Sequence, residues 1–564
     1  MPATEKETEI QAKNNKPRIT PIELVLLLIL LLSGFTLRIW DISSVGLDHF
    51  DEGAYAFSAL GLTDSDQPHH LYPGQMKFSP PVFFGLVGFL YYIFGGPLDT
   101  AAVIVNVLLG TLTIGVVWWI GRKWFGPQVG IGAASLLALS EYHIGLSRTA
   151  LTDVSFALFF LLALGAIVVA FQRQSAGLAI VAGLAVGLAW NTKYHGWFAL
   201  LIASLALLPF ALNRRTDRLV LKRSFFLLGI MIVVAVVCYL PWALYVQSQP
   251  GGYTALAAYQ RTMLSPHWFR NVWWHAQNQF FFEGWLSRIS VSIAFLCILL
   301  VPPQRGQITL RFLLILLFLS LSTLLIGSSG TAALLTVIGI PLFLRKNTPY
   351  PSWLVLGWLV IWFFTAPLYR PYARLVLPFT IATYFVACLW ISSKMNEGLP
   401  QESGSIAWRP ICAAVSGVVV VMIASLIPSS SNPWRPSRGA SEAAAAMEKI
   451  IPTGERVIVI GEPSLAFYLH LANRPAFERI EDIALLDSIK APVYLVTGVY
   501  ADRAPTLREG LKKLNDRLVP LGKAPMSPKD IRVLDDFAPP DARLYRTQPD
   551  NTYDLKLYRL LPKS

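Results

Sequence analysis

Long apolar runs dominate this sequence and set the class of fold that it can adopt. The first runs from Ile22 to Trp40, and about a dozen more of similar length follow. A stretch of roughly 20 apolar residues crosses the hydrocarbon core of a bilayer as a helix. Only 14% of the 564 residues are charged, against about a quarter in a soluble chain. The sequence therefore predicts a mainly α, polytopic membrane helix bundle of about 13 spans.

Basic residues alternate between the loops that separate these runs. They follow the second predicted span at Arg122 and Lys123 and recur at 214–223, which is the charge asymmetry of cytoplasmic loops. These loops account for much of the net charge of +13, so no nucleic-acid partner is predicted. After 22–40, the predicted spans are 100–121, 128–146, 151–171, 176–190, 194–212, 225–246, 288–302, 308–327, 331–344, 352–369, 372–392 and 409–428.

The run from Pro80 to Gly96 is predicted to lie in the outer membrane interface instead of crossing. If it crossed, Arg122 and Lys123 would lie outside and the charge rule would fail for the later loops. The outer loops are then 41–99 and 247–287. The second is rich in aromatic residues, which favours an interfacial belt, although stacking on a lipid chain or a sugar ring remains an alternative. These aromatic residues are Trp268, Phe269, Trp273, Trp274, Phe280, Phe281, Phe282 and Trp285.

The composition changes after Pro428, where a segment rich in Ser and Pro predicts a linker. The remaining residues alternate helical and strand patterns, including a buried strand at 456–461 and another at 492–499. They contain no glycine-rich phosphate or dinucleotide loop. We expect three parts: a cytoplasmic tail at 1–21, a transmembrane domain at 22–428, and a small extracytoplasmic α/β domain at 429–564. The protein is predicted to be an integral, multi-pass plasma-membrane protein.

Two adjacent carboxylates, Asp51 and Glu52, come about ten residues after the first span. An ionised acid at a membrane boundary is costly unless it is paired or used, so the pair is a candidate functional site. The alternative is a solvated acidic loop that caps the next helix.

Several cations are predicted at the same ends of the spans, where they could form a phosphate-binding cluster. Arg148 lies near Asp153 in one tight hairpin, and pairing between these two is an alternative. Each cation alone could also extend towards lipid headgroups. The other members of this set are Lys77, Lys193, Arg370 and Arg374.

Cysteine and histidine patterns predict no defined metal centre. All four cysteines lie within apolar runs and indicate neither a disulfide framework nor a zinc–thiolate site. The eight histidines are predicted at the outer side, where imidazole beside carboxylate is ligand chemistry for a divalent metal ion. No pair has a diagnostic spacing, so the sequence leaves a divalent metal ion open and assigns no cofactor.

In the order and placement of its motifs, the sequence resembles the C-type superfamily of integral membrane glycosyltransferases. The similarity is greatest to the branch of protein O-mannosyltransferases and lipid A aminoarabinose transferases. It covers most of the first 200 residues and part of the region after 350. The motifs are Phe50-Asp51-Glu52 with Tyr55, Lys77 with Ser79-Pro80-Pro81, Ser147-Arg148, Leu151-Thr152-Asp153, Gly187-Leu188-Ala189 with Thr192-Lys193, and Arg374-Leu375-Val376-Leu377-Pro378.

The resemblance implies transfer of a sugar from a polyprenyl-phosphate donor to a lipid, glycan or protein acceptor on the outer face, with inversion. Asp51 would be the catalytic base, Glu52 would assist it, and Asp153 would shape the acceptor or metal region. The donor phosphate would be bound by cations, of which Arg148 and Arg370 match less well. The better matches are Lys77, Lys193 and Arg374.

Other membrane functions remain open at this stage. A lipid-linked oligosaccharide polymerase also uses outer arginines, but it does not account for Asp51 and Glu52 directly after the first span. A flippase or other transporter would carry its ionisable residues near the middle of the membrane, often in repeated halves. A non-catalytic scaffold that presents the outer domain is a third reading.

Overall fold

The computed structural model describes most of the membrane part and much of the C-terminal domain. Lys77, the proposed linker and the predicted span 409–428 lie outside the described residues, as does most of 288–302. The described residues are 19–63, 79–214, 218–284, 287–293, 310–344, 348–395, 437–472, 478–479, 486, 489–498, 501–502, 505–526 and 553–563.

The membrane part consists of helices joined by short connections. Three 3₁₀ turns that matter for the site are Tyr194–Trp197, Ala366–Leu368 and Ala373–Val376. In chain order the α-helices are α1 (Pro21–Ile39), α2 (Phe50–Thr63), α3 (Val82–Phe94), α4 (Asp99–Phe125), α5 (Pro127–Leu139), α6 (Glu141–Ser147), α7 (Thr152–Arg173), α8 (Ala176–Trp190), α9 (Phe198–Arg214), α10 (Arg218–Ser248), α11 (Gly252–Thr262), α12 (Trp268–Phe282), α13 (Leu310–Phe343), α14 (Tyr350–Thr365) and α15 (Leu377–Met395).

Within the described ranges, eight helices are long and apolar enough to cross a membrane, and a bent pair makes up to nine. The bent pair is α5 and α6, which meet at 62° inside the predicted span 128–146. The predicted spans 308–327 and 331–344 fall, from residue 310 onward, in α13. Its backbone is non-helical at Gly327, where φ is +82°, so that two helical segments meet at the predicted boundary.

Helix α3 is the run that the charge pattern predicts to be interfacial. Its 13 residues extend about 20 Å, less than the roughly 30 Å hydrocarbon core. Phe83, Phe84 and Tyr91 are buried against the bundle, whereas Phe89 and Tyr92 are exposed. A short helix with one face packed on protein and large apolar side chains on the other fits a position along the membrane surface.

Helices α4 and α5 pack at backbone distance through glycines. A Cβ atom on Gly121 would lie 2.9 Å from the Gly130 Cα, and one on Gly130 would lie 2.7 Å from the Trp118 carbonyl oxygen. Small residues at such crossings allow the close packing that holds membrane helices together.

The C-terminal domain has an α/β fold with a five-stranded sheet. The described helices are α16 (Gly439–Glu448), α17 (Pro463–Leu471) and α18 (Pro505–Lys513), and the strands are β1 (Val457–Ile460), β2 (Glu478–Arg479), β3 (Val493–Thr497), β4 (Leu518–Met526) and β5 (Tyr553–Leu560).

The strand order is β2-β1-β3-β5-β4; β1 pairs in parallel with β2 and β3, and the β3–β5 and β5–β4 pairs are antiparallel. The predicted strands at 456–461 and 492–499 correspond to β1 and β3. The sequence did not reveal β4 and β5, which mix polar and apolar residues as a half-exposed antiparallel edge does.

This domain rests on the end of the bundle that carries Asp51. Tyr468 on α17 donates a hydrogen bond to Asp99 at the start of α4, over 2.8 Å, and Arg438 forms an ion pair with the same carboxylate at 2.7 Å. The two parts therefore share a polar interface directly beside the candidate site.

We predict that Gly130→Ala lowers the apparent melting temperature of the purified protein in detergent. The added methyl would overlap the α4 backbone, an overpacking cost of about 1–3 kcal/mol. Gly229→Ala is the matched control, because a Cβ atom there meets nothing within 4 Å. Equal melting temperatures for the two variants would contradict close packing at the α4–α5 crossing.

Candidate active site

Asp51 lies in the first turn of α2, where its backbone is held by His49. The Asp51 amide donates to His49 Nδ1 over 3.0 Å, and the His49 carbonyl accepts from the amides of Glu52 and Gly53. His49 thus caps the helix with both its side chain and its carbonyl group. The Asp51 side chain is 29% exposed, which leaves it accessible to a substrate.

Glu52 follows Asp51 in sequence but is completely buried. Its carboxylate accepts hydrogen bonds from the amides of Asp48 at 2.9 Å, His49 at 2.8 Å and Ala150 at 2.9 Å. The first two complete the N-terminal cap of α2, and the third joins that turn to the hairpin between α6 and α7. The two acids therefore have different surroundings, because neighbouring side chains on a helix point about 100° apart.

Four charged side chains meet beyond the start of α2 and alternate in sign. Arg374 Nη2 donates to Asp51 Oδ2 at 2.6 Å, and Arg374 Nε lies 3.9 Å from Asp153 Oδ2. Lys193 Nζ donates to Asp153 Oδ1 at 2.5 Å. We call Asp51, Arg374, Asp153 and Lys193 the charge cluster. The sequence placed all four in the candidate site, and the structure brings them together.

Each member of the charge cluster sits at the end of a helix or in a tight turn. Asp51 and Asp153 occupy the first turns of α2 and α7, where the helix dipole favours a carboxylate. Lys193 precedes the turn Tyr194–Trp197, and Arg374 lies in the turn before α15. The cluster consequently lies at one end of the bundle and not in the middle of the apolar spans.

Asp153 has one carboxylate oxygen that is incompletely used. Its side chain is 3% exposed, yet Oδ2 accepts no hydrogen bond from any residue that the structure describes. Buried acceptors are normally satisfied. This oxygen is therefore a place where a substrate hydroxyl could donate.

Arg148 is used differently from the sequence-based expectation. Its Nη1 donates to the carbonyls of Arg38 at 3.0 Å and Trp40 at 2.6 Å, at the C-terminal end of α1. An arginine in this place satisfies carbonyls that the end of the helix leaves without partners. The ion pair of Asp153 is with Lys193 instead of with Arg148, because the hairpin points the arginine back towards α1.

Arg370 lies four residues before Arg374 and is exposed. Its amide donates to the Met263 carbonyl over 2.8 Å, which ties its loop to the end of α11. Helix α12 supports the same loop through Asn271 and Asn278, which donate to the Pro367 and Pro371 carbonyls at 2.8 and 2.9 Å. Helix α12 therefore holds the loop that carries Arg370, while its own Phe269 and Trp273 remain exposed.

Three tyrosines join the site, and the sequence gave none of them a role. Burial, and then the negative charge of Asp51, raise the pKa of Tyr55 above its ordinary value. Burial likewise raises the pKa of Tyr369 to about 12. The guanidinium carbon of Arg374 lies 5.5 Å from the centre of the Tyr372 ring. Both shifted phenols stay protonated at neutral pH and can donate hydrogen bonds. The spacing from Asp51 to Tyr55, one helical turn, was the available signal.

The histidines in the described part of the chain are dispersed. His49 caps α2, His143 contacts Arg38 over 2.6 Å, and His195 packs against Phe156. The described residues include no group of three or more His, Cys, Asp or Glu side chains placed to hold a metal ion.

Comparisons with known proteins agree with this architecture. Residues 79–244, which include Asp153 and Lys193, match the family model described as dolichyl-phosphate-mannose-protein mannosyltransferase. The structure of ArnT from Cupriavidus metallidurans bound to undecaprenyl phosphate is similar, with a TM-score of 0.54 at 14% identity over 95% of this chain and 97% of that chain. The likeness to ArnT extends over nearly the whole chain and shows that the two proteins share a fold.

A second similar structure is the archaeal oligosaccharyltransferase AglB from Archaeoglobus fulgidus, in complex with an inhibitory peptide and a dolichol-phosphate. It has a TM-score of 0.55 at 14% identity, over 89% of this chain and 73% of that chain. No curated protein sequence matches this chain. The predicted fold class, a mainly helical membrane bundle, is thus confirmed, and these two structures share it.

We predict that Glu52→Ala lowers the apparent melting temperature by several degrees, whereas Asp51→Asn changes it little. The first variant leaves three buried amides without an acceptor, a cost on the order of 3 kcal/mol. The second variant changes only the partly exposed ion pair between Asp51 and Arg374. Thermal unfolding of both purified variants measures the difference. A Glu52→Ala protein as stable as Asp51→Asn, but inactive, would instead place Glu52 in the chemistry.

Proposed function

We propose that this C-type protein transfers a sugar from a polyprenyl-phosphate donor to an acceptor hydroxyl at the outer face of the membrane, with inversion at the anomeric carbon. The observation that carries the proposal is the charge cluster, which combines an accessible carboxylate with cations at a helix-bundle end. The similar structures support it, because ArnT was solved with undecaprenyl phosphate and AglB with a dolichol-phosphate.

The location suits a reaction between a lipid and a water-borne partner. The donor carries an isoprenoid tail and enters from the bilayer, whereas the acceptor arrives from solution. A site at helix ends is open to both, and exposed apolar side chains on α3 and α12 border the lipid side. A mobile carrier would instead place its ionisable groups near the middle of the spans.

The reaction needs one base and one group that stabilises the leaving anion. The Asp51 carboxylate accepts the proton of the acceptor hydroxyl as that oxygen bonds to the anomeric carbon. The bond from this carbon to the phosphate oxygen breaks, and its electron pair leaves with polyprenyl phosphate. Attack opposite the leaving group inverts the configuration. No covalent enzyme intermediate is required, because the phosphate already leaves readily.

Arg374 and Lys193 are proposed to bind the donor phosphate. A guanidinium with five N–H donors can hold Asp51 and a phosphate oxygen together. Asp153 orients Lys193 through their short hydrogen bond, and its Oδ2 is proposed to accept from a sugar or acceptor hydroxyl. Glu52 supports the turn that presents Asp51, and Arg370 borders the phosphate. The acceptor is of the lipid, glycan or protein class.

Asp51→Asn is expected to reduce sugar transfer by at least about 100-fold, since a general base contributes roughly 10²–10⁴-fold. Purified protein in lipid vesicles is incubated with a panel of polyprenyl-phosphate sugars and acceptors, and the release of polyprenyl phosphate is measured. Donor binding by the variant should remain. Activity within about tenfold of the wild type would remove Asp51 from the role of base.

Arg374→Ala is expected to weaken donor binding by about 10- to 100-fold, because a hydrogen bond to a charged group contributes about 1.5–3 kcal/mol. The measurement is the affinity of the purified variant for polyprenyl phosphate. Arg261→Ala is the control, since it removes the same charge from an exposed position at the end of α11. Unchanged affinity in Arg374→Ala would exclude this arginine from the phosphate site.

A further inference from the structure

The outer α/β domain reaches the turn that presents Asp51. Ser464, near the start of α17, donates a hydrogen bond to the carbonyl of His49 over 2.7 Å, and this bond is buried. The same carbonyl accepts from the amides of Glu52 and Gly53, and the His49 ring accepts from the amide of Asp51. A single residue of the membrane part, His49, therefore connects Ser464 to the backbone of Asp51.

Backbone contact between the two helices makes this connection rigid. A Cβ atom on Gly53 would lie 2.2 Å from the Ser464 nitrogen and 2.4 Å from the Pro463 carbonyl carbon. Only glycine allows α2 and α17 to approach so closely. A shift of α17 must therefore move the first turn of α2, since there is no side chain between them to absorb the displacement.

Other polar contacts of the interface dock the domain on the residues that precede α2 and on the start of α4. The Ala440 amide donates to Asp48 Oδ1 at 3.0 Å, the Leu47 amide donates to the Tyr468 hydroxyl at 2.9 Å, and Tyr468 donates to Asp99. These contacts dock the domain, whereas Ser464 contacts the capping residue of the Asp51 turn itself. Docking and positioning are thus carried by different residues of the same surface.

We propose that Ser464 of the outer domain is a positioning residue for the Asp51 carboxylate. The proposal rests on the function proposed above, in which Asp51 must lie within hydrogen-bond reach of the acceptor hydroxyl. A displacement of about 1 Å in such a group can cost on the order of 100-fold in rate. The outer domain is then part of the catalytic geometry, although it contributes no group to the reacting atoms.

The test compares Ser464→Ala with Tyr468→Phe in full-length protein in lipid vesicles. Ser464→Ala is expected to lower kcat for sugar transfer by about 5- to 50-fold, with KM for the donor within about twofold. Tyr468→Phe removes the interface hydrogen bonds to Leu47 and Asp99 but leaves the contact with His49, and it is expected to leave kcat within about twofold per folded molecule. The folded fraction is measured by size-exclusion chromatography and thermal unfolding.

Gly53→Ala provides a second, independent displacement of the same turn. It is expected to lower kcat at least as much as Ser464→Ala, while binding of polyprenyl phosphate persists. If both variants transfer sugar at the wild-type rate while Asp51→Asn does not, the positioning role is wrong and the proposed function stands. A kcat loss in Tyr468→Phe equal to that in Ser464→Ala would show a merely structural interface. If the wild-type protein transfers none of the sugars tested, the proposed function is contradicted, and the positioning role that rests on it is contradicted as well.

Discussion

Alternating charges at the boundary of an apolar bundle are the interaction on which this structure depends. Each ionised group would be costly beside lipid if it stood alone, and each is offset by a neighbour of opposite sign. The Asp51–Arg374 pair joins positions 323 residues apart, and the Lys193–Asp153 pair joins positions 40 apart. These pairs draw the ends of four separate chain segments together at one end of the bundle.

The polar groups near the charge cluster are of two kinds: some stabilise the structure, and others remain accessible. Glu52 and Arg148 are buried and satisfy backbone amides and carbonyls. Asp51 and Lys193 retain exposure, and Asp153 Oδ2 is buried with unused acceptor capacity among the described residues. A buried backbone amide or carbonyl without a partner destabilises the fold. The buried Glu52 and Arg148 side chains therefore form hydrogen bonds with such backbone groups.

Much of the site could be predicted because charged residues are rare in apolar sequences. Asp51, Asp153, Lys193 and Arg374 stand out against the spans that flank them, and the structure gathers all four. The basic loops likewise predicted that the run from Pro80 to Gly96 is interfacial. The structural role of the buried Glu52 was harder to predict, because two adjacent acidic residues cannot be told apart from the sequence. Tyr55 was part of a motif but was given no role, and Tyr369 and Tyr372 were missed as members of the site, because tyrosine is common at membrane interfaces and carries little information there.

The amino-acid sequence by itself determined that the chain is a helical membrane bundle with an α/β domain and charged groups near the ends of its spans. Periodicity and hydropathy are local properties, and they suffice for those conclusions. Only the tertiary structure decided which charges pair, and that α17 lies against Gly53 beside Asp51. Those outcomes depend on distances between segments remote in sequence, and packing at contact range sets such distances where composition alone cannot.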